Sequence, residues 1–292
     1  MRTSIIIASV AALAPAVAAA PGALGFALGA KQPDGQCKYQ ADYEADFKAI
    51  RDASGSSIVR VYAADQCNTA QYILPAAKSQ NFQVILGVWA DTEESYAADK
   101  AAVVRHTPGF ERQVYAVTVG SESLYRGNFT GPELAEKLKD MKRAVPHLKV
   151  GTADSWNKYQ DGTADAVIPH ADILLTNAFS YWQGQTQDNA TASFFDSIMQ
   201  AFSHIQRVGE TGWPSDGAKY ELAEPGLTNA ETFYRDSVCG MVYWGFNVFF
   251  FEAFDEPWKP EAIGENGFTA PEVHWGGMKA DRRAKYSLRC SA

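Results

Sequence analysis

The chain has little with which to hold a metal. No CxxC or HxH pair occurs, and its five histidines (His106, His147, His170, His204 and His274) are scattered. Neither a structural nor a catalytic metal site is expected, and nothing in the chain calls for a cofactor. Positive charge is scarce as well: 26 Lys and Arg against 34 Asp and Glu leave a net charge of −8. That balance argues against nucleic acid and anionic membranes as partners. There is one long apolar run, from Ser4 to Ala20, preceded by a single arginine and ending Ala18-Ala19-Ala20. It is short and alanine-rich for a bilayer span and reads as a secretory signal peptide. The expected cut is after Ala20, or one or two residues earlier because Pro21 would follow it. The end of the chain, Arg282-Arg283-Ala284-Lys285, carries no apolar tail for a lipid anchor. Residues 21–292 are therefore expected to form a secreted, soluble, monomeric domain. Linkers, low-complexity tracts and internal repeats are also missing.

What is present fits that compartment. Four cysteines, Cys37, Cys67, Cys239 and Cys290, read as disulfides, with three connectivities possible. Two sequons, at Asn128 and Asn189, are candidate glycosylation sites. Aromatic residues make up 12% of the chain, with seven Trp and thirteen Tyr. That content suits either sugar stacking or an aromatic core.

Short apolar runs alternate with amphipathic stretches along the whole of 21–292. Strands are expected at Leu24–Gly29, Ile58–Ala63, Phe82–Ala90, Val114–Gly120, Lys149–Ala153, Ala171–Ala178, Gln206–Glu210 and Val248–Ala253. Near-continuous apolar runs among them, such as Val84-Ile85-Leu86-Gly87-Val88-Trp89, suit strands buried on both faces. Helices are expected at Asp42–Ala53, Thr69–Ser79, Tyr96–Val104, Gly131–Ala144, Ala190–Ser203 and Asn229–Val238, with a weaker signal at Asp161–Ile168. Pro132 suits a helix start, whereas Pro75 should kink or shorten its helix. Eight βα units predict an α/β fold, a single (β/α)₈ TIM barrel. A doubly wound open sheet lacks support, since no GxGxxG or GxxxxGKS/T turn follows the first strand.

In such a barrel the chemistry sits at the C-terminal ends of strands. Two acids stand there: Glu122 closes Val117-Thr118-Val119-Gly120-Ser121-Glu122, and Glu210 opens Glu210-Thr211-Gly212-Trp213-Pro214. A lone glutamate at such a place is more often a salt-bridge partner or a helix cap. A pair facing each other across the mouth matches glycoside hydrolysis, which needs a protonated acid and an ionised partner.

These segments, with Glu252-Ala253-Phe254-Asp255-Glu256-Pro257-Trp258-Lys259, resemble glycoside hydrolase family 17, in particular its fungal cell-wall branch of β-1,3-glucanases and glucanosyltransferases. The likeness runs from Gly25 to Gly276, and the string Glu-Thr-Gly-Trp-Pro-Ser is its most specific part. The resemblance implies a (β/α)₈ fold, β-1,3-glucan as donor and acceptor, and a retaining double displacement. It makes Glu122 the acid/base, Glu210 the nucleophile, and Glu256 and Lys259 charged groups near the nucleophile, Lys259 being a cation that would hold Glu210 ionised. Ser121 departs from the Asn that many relatives carry before the acid/base.

Tyr62, Trp156, Tyr181 and Trp213 are candidate sugar-stacking residues, with Trp182 beside them, and Asn177 is a candidate hydrogen-bond donor to glucose. Trp244, Phe249, Phe250 and Phe251 read as core. Glucanosyl transfer with residual hydrolysis is expected, because the segment between Ala178 and Ala190 is too short for a groove-building subdomain. A plain endo-β-1,3-glucosidase is the alternative, and a catalytically silent wall-binding protein a further one. Cys37 and Cys67 follow adjacent strands, and Cys239 and Cys290 lie toward the outer layer, which predicts the pairs Cys37–Cys67 and Cys239–Cys290.

Overall fold

The eight apolar runs form eight parallel strands in a computed structural model that describes residues 21–202, 208–263 and 269–290. They are β1 (Leu24–Ala27), β2 (Ile58–Arg60), β3 (Gln83–Val88), β4 (Val114–Ser121), β5 (Val150–Ser155), β6 (Ile173–Asn177), β7 (Val208–Thr211) and β8 (Val248–Phe250). Each pairs with the next, and β8 returns to β1 through Leu24–Val248 and Phe26–Phe250, so the sheet closes as a barrel. Alternation along each strand divides the core. Val84 and Leu86 face the helices, while Ile85 joins Ile58, Ala116, Ala153, Ile173, Leu175 and Phe249 in a separate cluster that fills the barrel interior. Gly25 has to be glycine for this, because a Cβ there would sit 2.5 Å from the Phe249 ring.

The outer layer holds α1 (Gln40–Ser54), α2 (Thr69–Gln80), α3 (Glu93–His106), α4 (Gly131–Ala144), α5 (Trp156–Gln160), α6 (Gln187–Phe202), α7 (Leu227–Phe233) and α8 (Cys239–Tyr243). The start of α4 is fixed by Thr130 and Glu133, whose side chains reach each other's backbone N–H groups, with Pro132 in the first turn. Pro75 does not shorten α2, which runs through it on a buried face of Ala70, Ile73, Leu74, Ala76 and Ala77. Tertiary packing outweighs the lost bond. The helix expected to span Asn229–Val238 is α7, a wider π turn at Tyr234–Val238, and then α8. Cys239 opens α8. Asp161–Ile168 forms turns, and the sequence reading missed both α5 and a hairpin of β9 (Glu261–Ile263) with β10 (Thr269–Pro271).

The sulfurs of Cys37 and Cys67 lie 2.04 Å apart and those of Cys239 and Cys290 1.98 Å, so both expected pairs are bonded. Among the described residues no helix is long and apolar enough to cross a membrane. The expected signal segment, residues 1–20, lies outside the described residues, as do Ser203, His204, Gln206 and Arg207.

Candidate active site

β4 ends in a turn that only certain residues tolerate. Gly120 has φ +77°, where a Cβ would also meet the Ser123 hydroxyl, and Glu122 itself has φ +56°. A glutamate in the left-handed region is uncommon and costs about 1 kcal/mol or more. The turn is held from both sides: Glu122 N donates to the Ala153 carbonyl at 2.9 Å, and the Glu122 carbonyl accepts from Arg126 N at 2.8 Å. On β7, Glu210 lies in register with Asn177 of β6. The Asn177 side-chain amide donates to Glu122 Oε1 at 3.0 Å and to Glu210 Oε2 at 3.2 Å. Those two oxygens can be no farther apart than the two bonds laid end to end. The two carboxyls therefore face each other across one shared donor.

The two carboxyls meet different surroundings. Burial first, and then the charge of Glu210, pushes the Glu122 carboxyl up to about 7. Glu210 is 6% exposed and ion-paired to Arg60, which is itself 1% exposed. Arg60 also donates to Ser121 Oγ at 3.1 Å and lies over the Tyr62 ring. Ser121, in place of the longer Asn, thus accepts from the guanidinium that grips Glu210. Tyr62 stands over the same pair, and burial followed by the Glu210 charge pushes its phenol well above the usual range.

Arg60 was missed in the sequence, although a charged residue inside the apolar run Ile58–Ala63 was a usable signal. The cation expected at Glu210 was Lys259. The Lys259 ammonium instead lies 2.7 Å from Glu252 and 3.2 Å from Glu256, over the Phe251 ring. Coming from the loop beyond β8, it reaches the acids of its own segment first. Glu256 is buried behind it, and a Cβ on Gly29 would strike its carboxylate. Burial and the neighbouring Glu256 hold the Glu252 carboxyl well above the carboxylate range.

A groove crosses the barrel mouth through these residues. At one end a cavity of about 360 Å³ is lined by Glu122, Trp156, Asn177, Phe179 and Trp182. It continues past Glu210, Phe251, Lys259 and Glu272 to an apolar end at Tyr62, Trp89 and Trp258. Tyr62, Trp156 and Asn177 therefore line it as expected. Tyr181 and Trp213 do not: each is 1% exposed. Their rings meet edge-on at 5.1 Å, the Tyr181 hydroxyl donates to the Ala218 carbonyl, and the Trp213 indole donates to the Glu224 carbonyl. Strand-end position does not say on which side of the loop a ring packs. Trp182 faces the groove as read from the sequence, joined by Phe179 and Trp89; Phe251 is buried in the core as expected and also borders the groove, whereas Trp244, expected in the core, is exposed. The Asn189 sequon is exposed, and the Asn128 sequon is half-buried on the loop that carries Glu122. Among the described residues no cluster of His, Cys, Asp and Glu suits a metal.

A half-buried protonatable acid and an ion-paired carboxylate, close together in an aromatic groove, can carry out acid-assisted displacement at an acetal carbon. The comparisons with known proteins agree. The BtgE/BtgC glycoside hydrolase domain matches residues 25–276. A glucan 1,3-beta-glucosidase of Arthroderma benhamiae is 51% identical over 99% of this chain and 98% of its own length. A glucan 1,3-beta-glucosidase of Saccharomyces cerevisiae is 43% identical over 81% of this chain and 82% of its own. Among solved structures, the glycoside hydrolase family 17 β-1,3-glucanosyltransferase of Rhizomucor miehei superposes with a TM-score of 0.80 at 28% identity, covering 92% of this chain and 97% of that one.

Proposed function

This chain belongs to the BtgE/BtgC glycoside hydrolase family, within the fungal branch of glycoside hydrolase family 17, and we propose that it is a retaining β-1,3-glucanosyltransferase with residual endo-hydrolysis, secreted to remodel the cell wall. It is a β-1,3-glucan-active enzyme, and Glu210 and Glu122 divide its chemistry. Glu210 attacks the anomeric carbon, the C1–O3 bond breaks, and Glu122 passes its proton to the departing O3. The donor is left as an ester on Glu210. Water or a hydroxyl of a second glucan then attacks C1, Glu122 takes the incoming proton, and Glu210 leaves with β configuration restored. Asn177 and Arg60 hold the nucleophile throughout.

The observation that carries this reading is the single Asn177 amide shared by both carboxylates. Transfer is favoured by the likeness to the Rhizomucor miehei transferase and by the loop between β6 and α6. That loop, residues 178–186, lends Phe179 and Trp182 to the groove but is too short to build a further subdomain over it. A bound, oriented acceptor has an effective molarity that competes with water. Plain hydrolysis is the second reading, favoured by the names of the two glucosidase relatives. Residues 1–20 act as the secretion signal in this account, and the folded domain works as a monomer. Incubation with a short β-1,3-glucan oligosaccharide at high concentration should give products longer than the starting material. Only shorter fragments at every donor concentration would leave the hydrolase.

A further inference from the structure

Glu122 sits on a strained turn whose backbone is tied to one buried side chain. Asp154, on β5, is 0% exposed and points its carboxylate under the loop that follows β4. Oδ2 accepts from Leu124 N at 2.8 Å, and Oδ1 accepts from Tyr125 N at 3.1 Å and Ser155 N at 2.9 Å. Leu124 and Tyr125 are the second and third residues after Glu122. Without an acceptor beneath them, their N–H groups would be buried and unsatisfied, and Glu122 has no cost-free conformation to hold it at φ +56°. Asp154 itself lines none of the groove, although Tyr125 and Ser155, whose N–H groups it holds, border the cavity beside Glu122.

Resting on the assignment of Glu122 as acid/base, we propose that Asp154 is a positioning residue that pins the Glu122 loop in its left-handed turn and keeps the acid aimed across the mouth at the nucleophile. Its charge acts in the same direction. Glu122 is faced by Glu210 from β7, by Asp154 from β5 and by Arg126 from its own loop, and both carboxylates favour its protonated form. Asp154 in turn faces Arg126 and Tyr159 of α5, and Tyr125 and Glu272 border the cavity into which Glu122 points. Burial raises the Asp154 carboxyl to about 6, against the pull of its three N–H donors and Arg126. Near neutrality it is charged, and it accepts all three bonds.

The test uses Asp154→Asn in the full chain, which keeps the shape but turns an NH₂ toward a backbone donor. On a β-1,3-glucan oligosaccharide, kcat should fall about 10²-fold, as for a small displacement of a catalytic group. On a nitrophenyl β-laminaribioside with azide as acceptor, the phenolate leaves without a proton. Azide then displaces Glu210 from C1 without a base, giving the glycosyl azide, so the loss should shrink to about a few-fold. The alkaline limb of kcat/KM should move to lower pH, because removing a neighbouring negative charge eases ionisation of Glu122. Equal losses on both donors, no loss on either, or an unmoved alkaline limb would overturn the proposal. Glu122→Gln in the same assays separates the two claims: if it fails to distinguish the donors, the acid assignment falls. If the asparagine chain does not fold, Asp154→Ser, with a single accepting hydroxyl, gives the same reading.

Discussion

Glu122 and Glu210 share one hydrogen-bond donor, yet the structure gives them opposite settings. Glu210 has a guanidinium against it, and that guanidinium is itself fixed by Ser121 and Tyr62. Among the described residues no lysine, arginine or histidine pairs with Glu122, whose charged neighbours include Glu210 and Asp154. One carboxylate has a cation paired to it and the other has neighbours that favour its protonated form, although both are glutamates at strand ends of the same barrel. The role proposed for each follows from what the neighbouring strands contribute: β2 supplies the cation to one, and β5 the buried anion to the other.

Removing each carboxyl in turn is the harshest way to break this comparison. Glu210→Gln should cost on the order of 10⁴-fold or more in kcat on glucan, and azide should not restore activity with an activated donor. Glu122→Gln should cost about 10²–10⁴-fold on glucan but recover with the activated donor and azide. Matching responses in the two variants would mean that the roles are not divided.

Arg60 sharpens the comparison next. Arg60→Met strands the buried Glu210 charge and should lower stability by about 3–5 kcal/mol, read from the denaturant midpoint at neutral pH. Asn177→Ala leaves both carboxylates without their common donor. Its cost should be smaller, about 10–100-fold in kcat, the worth of a hydrogen bond to a charged group.

The smallest effect concerns stability. The Glu122 carboxyl lies near 7 in the fold against an ordinary 4.5, so between those values the native state holds a proton that the unfolded chain has lost. Stability then falls as pH rises through that window. Glu122→Gln, which cannot ionise, should raise the melting temperature at pH 8 and leave it nearly unchanged at pH 4. An equal shift at both pH values would place the effect in packing instead of charge.

The strand-end positions of the two carboxylates were legible in the sequence for different reasons: Glu122 follows the apolar run Val114–Gly120, whereas Glu210 follows only Val208-Gly209 and is marked by the Glu-Thr-Gly-Trp-Pro-Ser string. Their surroundings were less so. Arg60 lies in a strand of three residues, Ile58–Arg60, and nothing local says that its side chain crosses the mouth to Glu210. Lys259 is adjacent in sequence to the right acids and was assigned to the wrong one, since the reach of a loop cannot be read from spacing. Among the aromatics, Trp182 faces the groove while its neighbour Tyr181 packs behind it, a choice made by the Trp213 and Trp275 rings already there. The fold needed only periodicity, whereas these assignments needed contacts between distant segments.

The central claim is that Glu210 alone forms a covalent bond to the donor. A 2-deoxy-2-fluoro-laminaribiosyl fluoride slows both displacement steps yet departs without acid help, so the ester should accumulate on the native enzyme. Peptide mass spectrometry after digestion should find the added disaccharide on Glu210, one per chain, and find none on the Glu210→Gln variant. A label on Glu122, or an unmodified chain alongside product of inverted configuration, would contradict the account.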